Sequence, residues 1–336
     1  MSRCAPAVLP RLLAVLLGGL LAACSAPARL AGEPLPSWTP GPGRAQLLAF
    51  IDAATDPDSP GWIAPDARLA VFDHDGTLLV ERPRFAQAEF VYARIRELAP
   101  QHPEWRRQQP WRAVLEGDSQ WLAAQGLRVM AKLMNSAQAG LSQDDYAALA
   151  AAFWREARDP HYGRAWHELV YAPMQELIAL LLSRGFDVYI VSAGGSEFIR
   201  AVAGEAWGLP PERVIGSRGK TRLREVDGRL VVWRAPGIES LNVGPRKALN
   251  IRALTGRRPV LAVGNSDSDL AMLRYAAETP GGLAVVLEHD DARREFAYRD
   301  GSERLRTAAA EGGWLRVSMA RDFRRVFGWE EAGAAP

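Results

Sequence analysis

Two carboxylates stand two residues apart in Val71-Phe72-Asp73-His74-Asp75-Gly76-Thr77, directly after an apolar run that begins at Leu69. Such a run ending in acidic residues reads as a short buried strand whose last turn projects Asp73 and Asp75 into one pocket. Like charges this close repel, so the pair calls for a cation or a substrate that compensates. The chemistry open to it is metal binding, nucleophilic attack and proton transfer. Asp-x-Asp-Gly also occurs in calcium loops. An EF-hand, however, needs further oxygen ligands at regular intervals and a late Glu, and here Leu78, Leu79 and Val80 follow instead.

Three further segments carry residues suited to the same work. Ser192 closes the apolar stretch Val188-Tyr189-Ile190-Val191 and precedes Ala193, Gly194 and Gly195. A hydroxyl beside the N–H groups of a glycine turn can hold a phosphate oxygen; taken alone, Ser192 reads as a small residue ending a strand. Lys247 opens a helix after Gly244-Pro245-Arg246, and only three of the 41 basic residues are lysines: Lys132, Lys220 and Lys247. A compact ammonium makes a point contact to phosphate or carboxylate where a planar guanidinium would be too large. Gly264-Asn265-Ser266-Asp267-Ser268-Asp269-Leu270 follows another apolar run, and by itself it could be an acidic turn that binds nothing.

The elements that must position these residues alternate between strand and helix. Helical spacing of Leu47, Leu48 and Ile51 predicts a helix over 44–54, and strands are expected over 68–73, 186–192, 259–264 and 283–287. Helices are expected over 85–98, 111–116, 121–134, 143–156, 174–183 and 247–254, and a hairpin over 223–233 turning at Asp227-Gly228. Strand–helix alternation implies an α/β fold, a doubly wound Rossmann-like parallel sheet with right-handed crossovers. The helical block over 82–171 is too long for a crossover and reads as an inserted all-helical cap. The organisation expected is core over 44–81, cap over 82–171 and core again over 172–330. Ligands of open α/β sheets bind at the carboxyl ends of the strands, where such a cap would stand.

Asp73-x-Asp75-Gly76-Thr77 after a hydrophobic strand resembles the first motif of the haloacid dehalogenase (HAD) superfamily. Ser192 with Ala193-Gly194 resembles the second motif, Lys247 the third and Gly264–Leu270 the fourth. The four occur in order over residues 68 to 290, and the likeness is greatest to phosphoserine-phosphatase-like hydrolases with a helical cap. The resemblance implies a phosphatase that acts on a small phosphate ester through an aspartyl-phosphate, with Mg2+ as cofactor. Asp73 would be the nucleophile and Asp75 the general acid and base, with Lys247 completing the catalytic set. Thr77, Ser192, Ala193 and Gly194 would hold the phosphate, and Asp73, Asp75, Asn265 and Asp269 the metal. Dehalogenases lack the second Asp, so Asp75 counts against dehalogenation. At 265 most relatives carry Asp, and Asn lacks its charge. The third metal ligand is therefore Asn265 or Asp267. A phosphotransferase or mutase of the same fold, or a catalytically silent envelope-binding protein, are the alternatives.

Some features have plainer readings. Lys220 in Gly219-Lys220-Thr221 lacks the first glycine of a P-loop and reads as a solvated turn, and Lys132 reads as a helix-surface charge. Five of the eleven tryptophans fall in the helical block (Trp105, Trp111, Trp121, Trp154, Trp166); they could box a cationic headgroup, but core is the preferred reading. Glu81 and Arg82, at the entry to the cap, could touch substrate or form a hinge salt bridge. No zinc spacing links the five histidines.

The first segment reads as an address. Arg3 and Arg11 precede an uncharged run of about a dozen residues, too short to cross a bilayer as a helix and ending Leu21-Ala22-Ala23-Cys24. This resembles a bacterial lipobox, which implies a signal peptide over 1–23, lipidation of Cys24 and a flexible Ala/Pro/Gly-rich tether over 24–43. A plain signal peptide with a soluble periplasmic product is the alternative. The expected location is the periplasmic face of an envelope, lipid-anchored, with the outer membrane favoured by Ser25. Without Arg3 and Arg11, 39 basic residues balance 39 acidic ones, so no basic stripe suggests a nucleic-acid partner.

Overall fold

Successive residues of β1 (Leu69–Phe72) divide between two apolar layers: Leu69 and Val71 join one buried cluster, Ala70 and Phe72 the other. A strand buried on both faces needs helices on both sides, and the computed structural model, which describes residues 33–330 together with Met1, supplies them. The remaining strands are β2 (Asp187–Gly195), β3 (Val214–Val226), β4 (Arg229–Ser240), β5 (Leu261–Gly264), β6 (Leu283–Glu288) and β7 (Leu315–Ser318). Among the described residues they form one sheet in the order β4-β3-β2-β1-β5-β6-β7, parallel except for β4, which runs antiparallel to β3. The fold is an α/β sheet of Rossmann-like type.

The helices are α1 (Pro42–Thr55), α2 (Ala86–Leu98), α3 (Trp111–Glu116), α4 (Ser119–Ala123), α5 (Leu127–Gln138), α6 (Gln143–Glu156), α7 (Ala172–Ser183), α8 (Ser196–Trp207), α9 (Pro245–Thr255), α10 (Leu270–Ala277), α11 (Glu303–Gly312) and α12 (Met319–Asp322). Ile251 of α9, Met272 and Leu273 of α10, and Leu305 of α11 cover one face of the sheet. Residues of α1, α7 and α8 cover the other, and their cluster continues without a break into α2, α5 and α6 of the helical block. The block is thus welded to the core on one side. Trp154 of α6 is the anchor: its indole N–H donates to Phe198 O of α8 at 2.9 Å, and its ring lies 4.8 Å from that of Phe198.

Several expectations are corrected. The helix expected over 121–134 is two helices. Asp118 caps α4 by accepting the Trp121 N–H, and extended Gly126 restarts the chain as α5. The tether expected over 24–43 is not free in its described part: Ser37 donates to Glu176, and the Trp38 indole donates to Pro173 O with its ring edge-on to Phe323. Two apolar anchors, Leu35 and Trp38, outweigh the Pro/Gly composition that suggests a linker. The hairpin turns at Asp227 and Gly228, both at positive φ as a tight two-residue turn requires, but its strands run twice as far as expected. Arg234 of β4 lies over the Tyr146 ring and donates to Gln138 and Gln143, so the hairpin braces the block. No element is expected from sequence at α8, α10, α11 or β7. Cys24 and the leader lie outside the described residues. No described helix is long and apolar enough to cross a membrane.

Trp154→Ala removes both the apolar anchor and its buried hydrogen bond. The expected loss is about 3–5 kcal/mol of stability, read as a lowered urea midpoint.

Candidate active site

Because β2, β1 and β5 are adjacent and parallel, residues just past their carboxyl ends share one surface. Asp73 follows β1, tied to β5 by its N–H to Val263 O at 2.9 Å; Ser192 stands near the end of β2; Asn265 follows β5. Lys247 reaches this surface from the first turn of α9. It is fully buried, and its Nζ donates to Asp73 Oδ1 and Asp269 Oδ1, each at 2.6 Å. Burial alone would lower the ammonium's pKa, but the charges of Asp269 and Asp73 outweigh it and hold Lys247 above its ordinary value. Burial, then the charge of Asp269, pushes Asp73 well above the usual carboxylate range, with Lys247 pulling back. Two carboxylates around one ammonium leave a net negative charge out of water, and the proximity of Asp75 adds to it.

Both oxygens of Asp269 are in use. Oδ2 accepts the N–H groups of Asn265 and Ser266 at 3.1 and 3.0 Å, so Asp269 folds the fourth motif back on itself and aims the lysine. This corrects its expected place among the metal ligands. The close fold requires Gly264, where a Cβ would lie 2.7 Å from that of Asp269. Asp267 is corrected as well: its carboxylate accepts the Leu305 N–H at 2.8 Å in the first turn of α11, a capping role. Thr77, expected at the phosphate, is buried with its hydroxyl donating to Asn265 Oδ1 at 3.1 Å.

Ser192 Oγ accepts the Gly194 N–H at 2.9 Å, and its carbonyl accepts from buried Asn242, which also ties Ile215 of β3. A Cβ on Gly194 would lie 3.2 Å from Ser192 Oγ and 3.6 Å from Asp75 Oδ2, so the hydroxyl and the carboxylate both lie beside that glycine. Ala193 is exposed, its carbonyl accepting from Ser217. Asp73, Asp75, Ser192, Gly194, Lys247 and Asn265 are thus brought together.

Three contributors are missed by the sequence reading. Gln87 at the start of α2 accepts the Gly195 N–H at 2.8 Å, and its amide nitrogen is buried with no partner among the described residues. His74 is buried edge-on to Trp154 and Trp207, with Nδ1 3.2 Å from Asp75 Oδ1. Tyr298 joins Glu81, which the sequence leaves between two roles. The Tyr298 hydroxyl and Asn265 Nδ2 both donate to Glu81 Oε1, at 2.6 and 3.0 Å. Burial pushes Glu81 up to about 7, against the pull of Tyr298 and His289. His289, stacked on Tyr298 with centroids 4.3 Å apart, sits 2.7 Å from Gly76 O through Nε2 and 3.0 Å from Glu295 through Nδ1. The only signal for this cluster is the chemistry of the individual residues, which lie some 200 positions apart. Of the tryptophans in the helical block, Trp105, Trp154 and Trp166 are buried in its core.

Oxygen donors with excess negative charge suit a small hard cation. Among the described residues no three His, Cys, Asp or Glu side chains are placed to hold a metal. Asp73, Asp75 and the amide oxygen of Asn265 are oxygen donors of this kind.

A model of the haloacid dehalogenase-like hydrolase family matches residues 70–274. Among solved structures, a conserved protein of unknown function from Anaerococcus prevotii DSM 20548 is 17% identical, with 81% of this chain and 90% of that one covered at a TM-score of 0.51. A protein of unknown function from Bordetella pertussis Tohama I is 19% identical over 74% of this chain and 97% of that one, at a TM-score of 0.49. A probable phosphoserine phosphatase from Vibrio cholerae is 17% identical over 66% and 58%, at 0.36. At these identities the likeness speaks for the fold alone, and the first of the three carries it. No curated protein matches in sequence.

Lys247→Met leaves Asp73 and Asp269 buried side by side without a countercharge. The expected loss is about 3–5 kcal/mol, and adding Asp269→Asn to Lys247→Met should recover part of it in the same urea titration.

Proposed function

The chain belongs to the family of haloacid dehalogenase-like hydrolases, and within it we propose a Mg2+-dependent phosphomonoesterase that works through an aspartyl-phosphate on Asp73. The observation that carries this reading is the hydrogen bond of Lys247 to Asp73, with Asp75 and Ser192 both beside Gly194. That arrangement sets a nucleophile, a proton donor and phosphate-binding groups around one point, as phosphoryl transfer requires.

An oxygen of Asp73 attacks phosphorus as the ester P–O bond breaks, and Asp75 in its protonated form gives its proton to the departing alkoxide. Asp75, now a carboxylate, takes a proton from water. The resulting hydroxide attacks phosphorus, the bond to Asp73 breaks, and inorganic phosphate leaves with Asp73 regenerated. The Lys247 ammonium and the Ser192 hydroxyl offset charge on the non-bridging oxygens. Gln87 offers its unpaired amide N–H from the helical block, and the packed aromatic layer around His74 excludes water. Mg2+ on Asp73, Asp75 and Asn265 would neutralise negative charge between nucleophile and phosphate. The substrate we propose is a small periplasmic phosphate ester, met by a chain lipid-anchored through Cys24 on the periplasmic face, the outer membrane favoured. Nucleic acid has no place in this reading.

The full-length chain is the protein to assay, because Trp38 packs into the core. Phosphate release from an aryl phosphate should require Mg2+, stop with EDTA and vanish in Asp73→Asn; turnover that survives Asp73→Asn would sink the assignment. Added acceptor alcohol that captures the phosphoryl group would instead identify a phosphotransferase. Mass spectrometry of the mature N-terminus should find Cys24 acylated, and an unmodified Cys24 would remove the anchor from the proposal.

A further inference from the structure

Asn265 is a neutral amide where the chemistry of a cation site favours a carboxylate, and its two ends are not equivalent. A carboxylate presents oxygen whichever way it turns, whereas an amide presents oxygen one way and a hydrogen-bond donor the other. Holding Asn265 as a cation ligand therefore needs a group that fixes its orientation. The structure contains one. Glu81 Oε1 lies 3.0 Å from Asn265 Nδ2 and also accepts the Tyr298 hydroxyl, so it is an acceptor and the amide nitrogen faces it. The oxygen must then face the other way, onto the Thr77 hydroxyl at 3.1 Å and the turn that carries Asp73 and Asp75.

Glu81 is itself built into place. The Tyr298 hydroxyl donates to the same Oε1 at 2.6 Å, and the Tyr298 ring lies between the His289 ring and the guanidinium of Arg82. The segment leading to Glu81 is pinned by Val80 N–H to Leu169 O at 3.2 Å and by Gly76 N–H to Leu79 O at 2.9 Å. The Asn265–Glu81 hydrogen bond crosses the space above Gly76. A Cβ there would stand 2.1 Å from Asn265 Nδ2 and 2.7 Å from Glu81 Cδ, and Gly76 also has φ of 72°. Only glycine leaves room for the pair.

We infer that Glu81 is a positioning residue of the cation site: it aims the amide oxygen of Asn265 at the cation. The inference rests on the cation site proposed above. The two residues are a matched pair: Asp at 265 would present oxygen whichever way it turned and would not need Glu81, two carboxylates at hydrogen-bond distance repel, and two amides leave the orientation at 265 unfixed.

The test is Mn2+ affinity, measured by electron paramagnetic resonance on the full chain without substrate, for wild type, Glu81→Gln, Asn265→Asp and the double variant. Groups that orient a metal ligand by hydrogen bonding are worth about 10–100-fold in metal affinity, and Glu81→Gln should weaken Mn2+ binding by about tenfold or more. Adding Asn265→Asp to Glu81→Gln should restore binding toward wild type, a rescue that a merely structural role for Glu81 would not give. In metal-free protein, Asn265→Asp alone should lower the thermal midpoint and the double variant should recover it. Should Glu81→Gln not fold, Tyr298→Phe removes one of its two donors without changing charge, and should weaken binding in the same direction. Unchanged affinity in Glu81→Gln, or a double variant no tighter than Glu81→Gln, overturns the inference while leaving the cation site standing. Wild type that binds no Mn2+ overturns both.

Discussion

A buried ammonium held between two carboxylates organises this molecule. Lys247 meets Asp73 and Asp269 at the same short distance, buried away from solvent, so moving any one of the three would leave a charge unpaired in a medium that cannot solvate it. Because Asp73 follows β1, Lys247 opens α9 and Asp269 precedes α10, the cluster fixes one strand end and two helices against one another. Asp269 then carries the constraint onward, since its second oxygen holds the backbone of Asn265 and Ser266. The register of the central strands and the shape of the fourth motif are thus two consequences of one electrostatic requirement.

That requirement also explains which parts of the site could be read from the chain alone. Asp73, Asp75, Ser192 and Lys247 announce themselves because each sits at the end of an apolar run or the start of a helix, where local pattern and position in the fold coincide. The sheet was readable for the same reason: β1, β2, β5 and β6 are continuous apolar runs. The α11–β7 region was not, because Glu303–Gly312 is polar on most of its surface and Leu315–Ser318 is four residues long. Neither carries a periodicity long enough to register. Gly126 is a breaker by residue type yet falls inside the helix expected over 121–134, and the Asp118 cap together with the extended conformation at 126 divides the chain there.

Roles within a motif are harder than its existence. Three carboxylates or amides in Asn265–Asp269 are chemically near-equivalent in sequence, yet one caps α11, one aims the lysine and one faces the catalytic turn. What separates them is direction, and direction is set by partners far away: Leu305, Lys247 and Thr77. Thr77 illustrates the same point, since its hydroxyl was free in sequence to serve a phosphate and in space is taken by Asn265. Likewise Trp38 looked like part of a linker because composition weighs residues equally, whereas one buried indole with a bonded N–H outweighs several prolines and glycines around it.

The departure from the family pattern at Asn265 and the residues the sequence could not place are one problem. A carboxylate tolerates rotation and an amide does not, so a site built with an amide needs a second partner that a site built with Asp can do without. Here that partner comes from the entry to the helical block, is held by Tyr298 from beyond β6, and crosses a glycine that the catalytic turn would need anyway for its positive φ. Local rules break most often where function constrains the chain, and in this molecule the break at one side chain is absorbed by four residues drawn from three regions. The helical block is therefore more than a cover: the segment that enters it carries Glu81 and its first helical turn carries Gln87, so its attachment through Trp154 bears on the geometry of both.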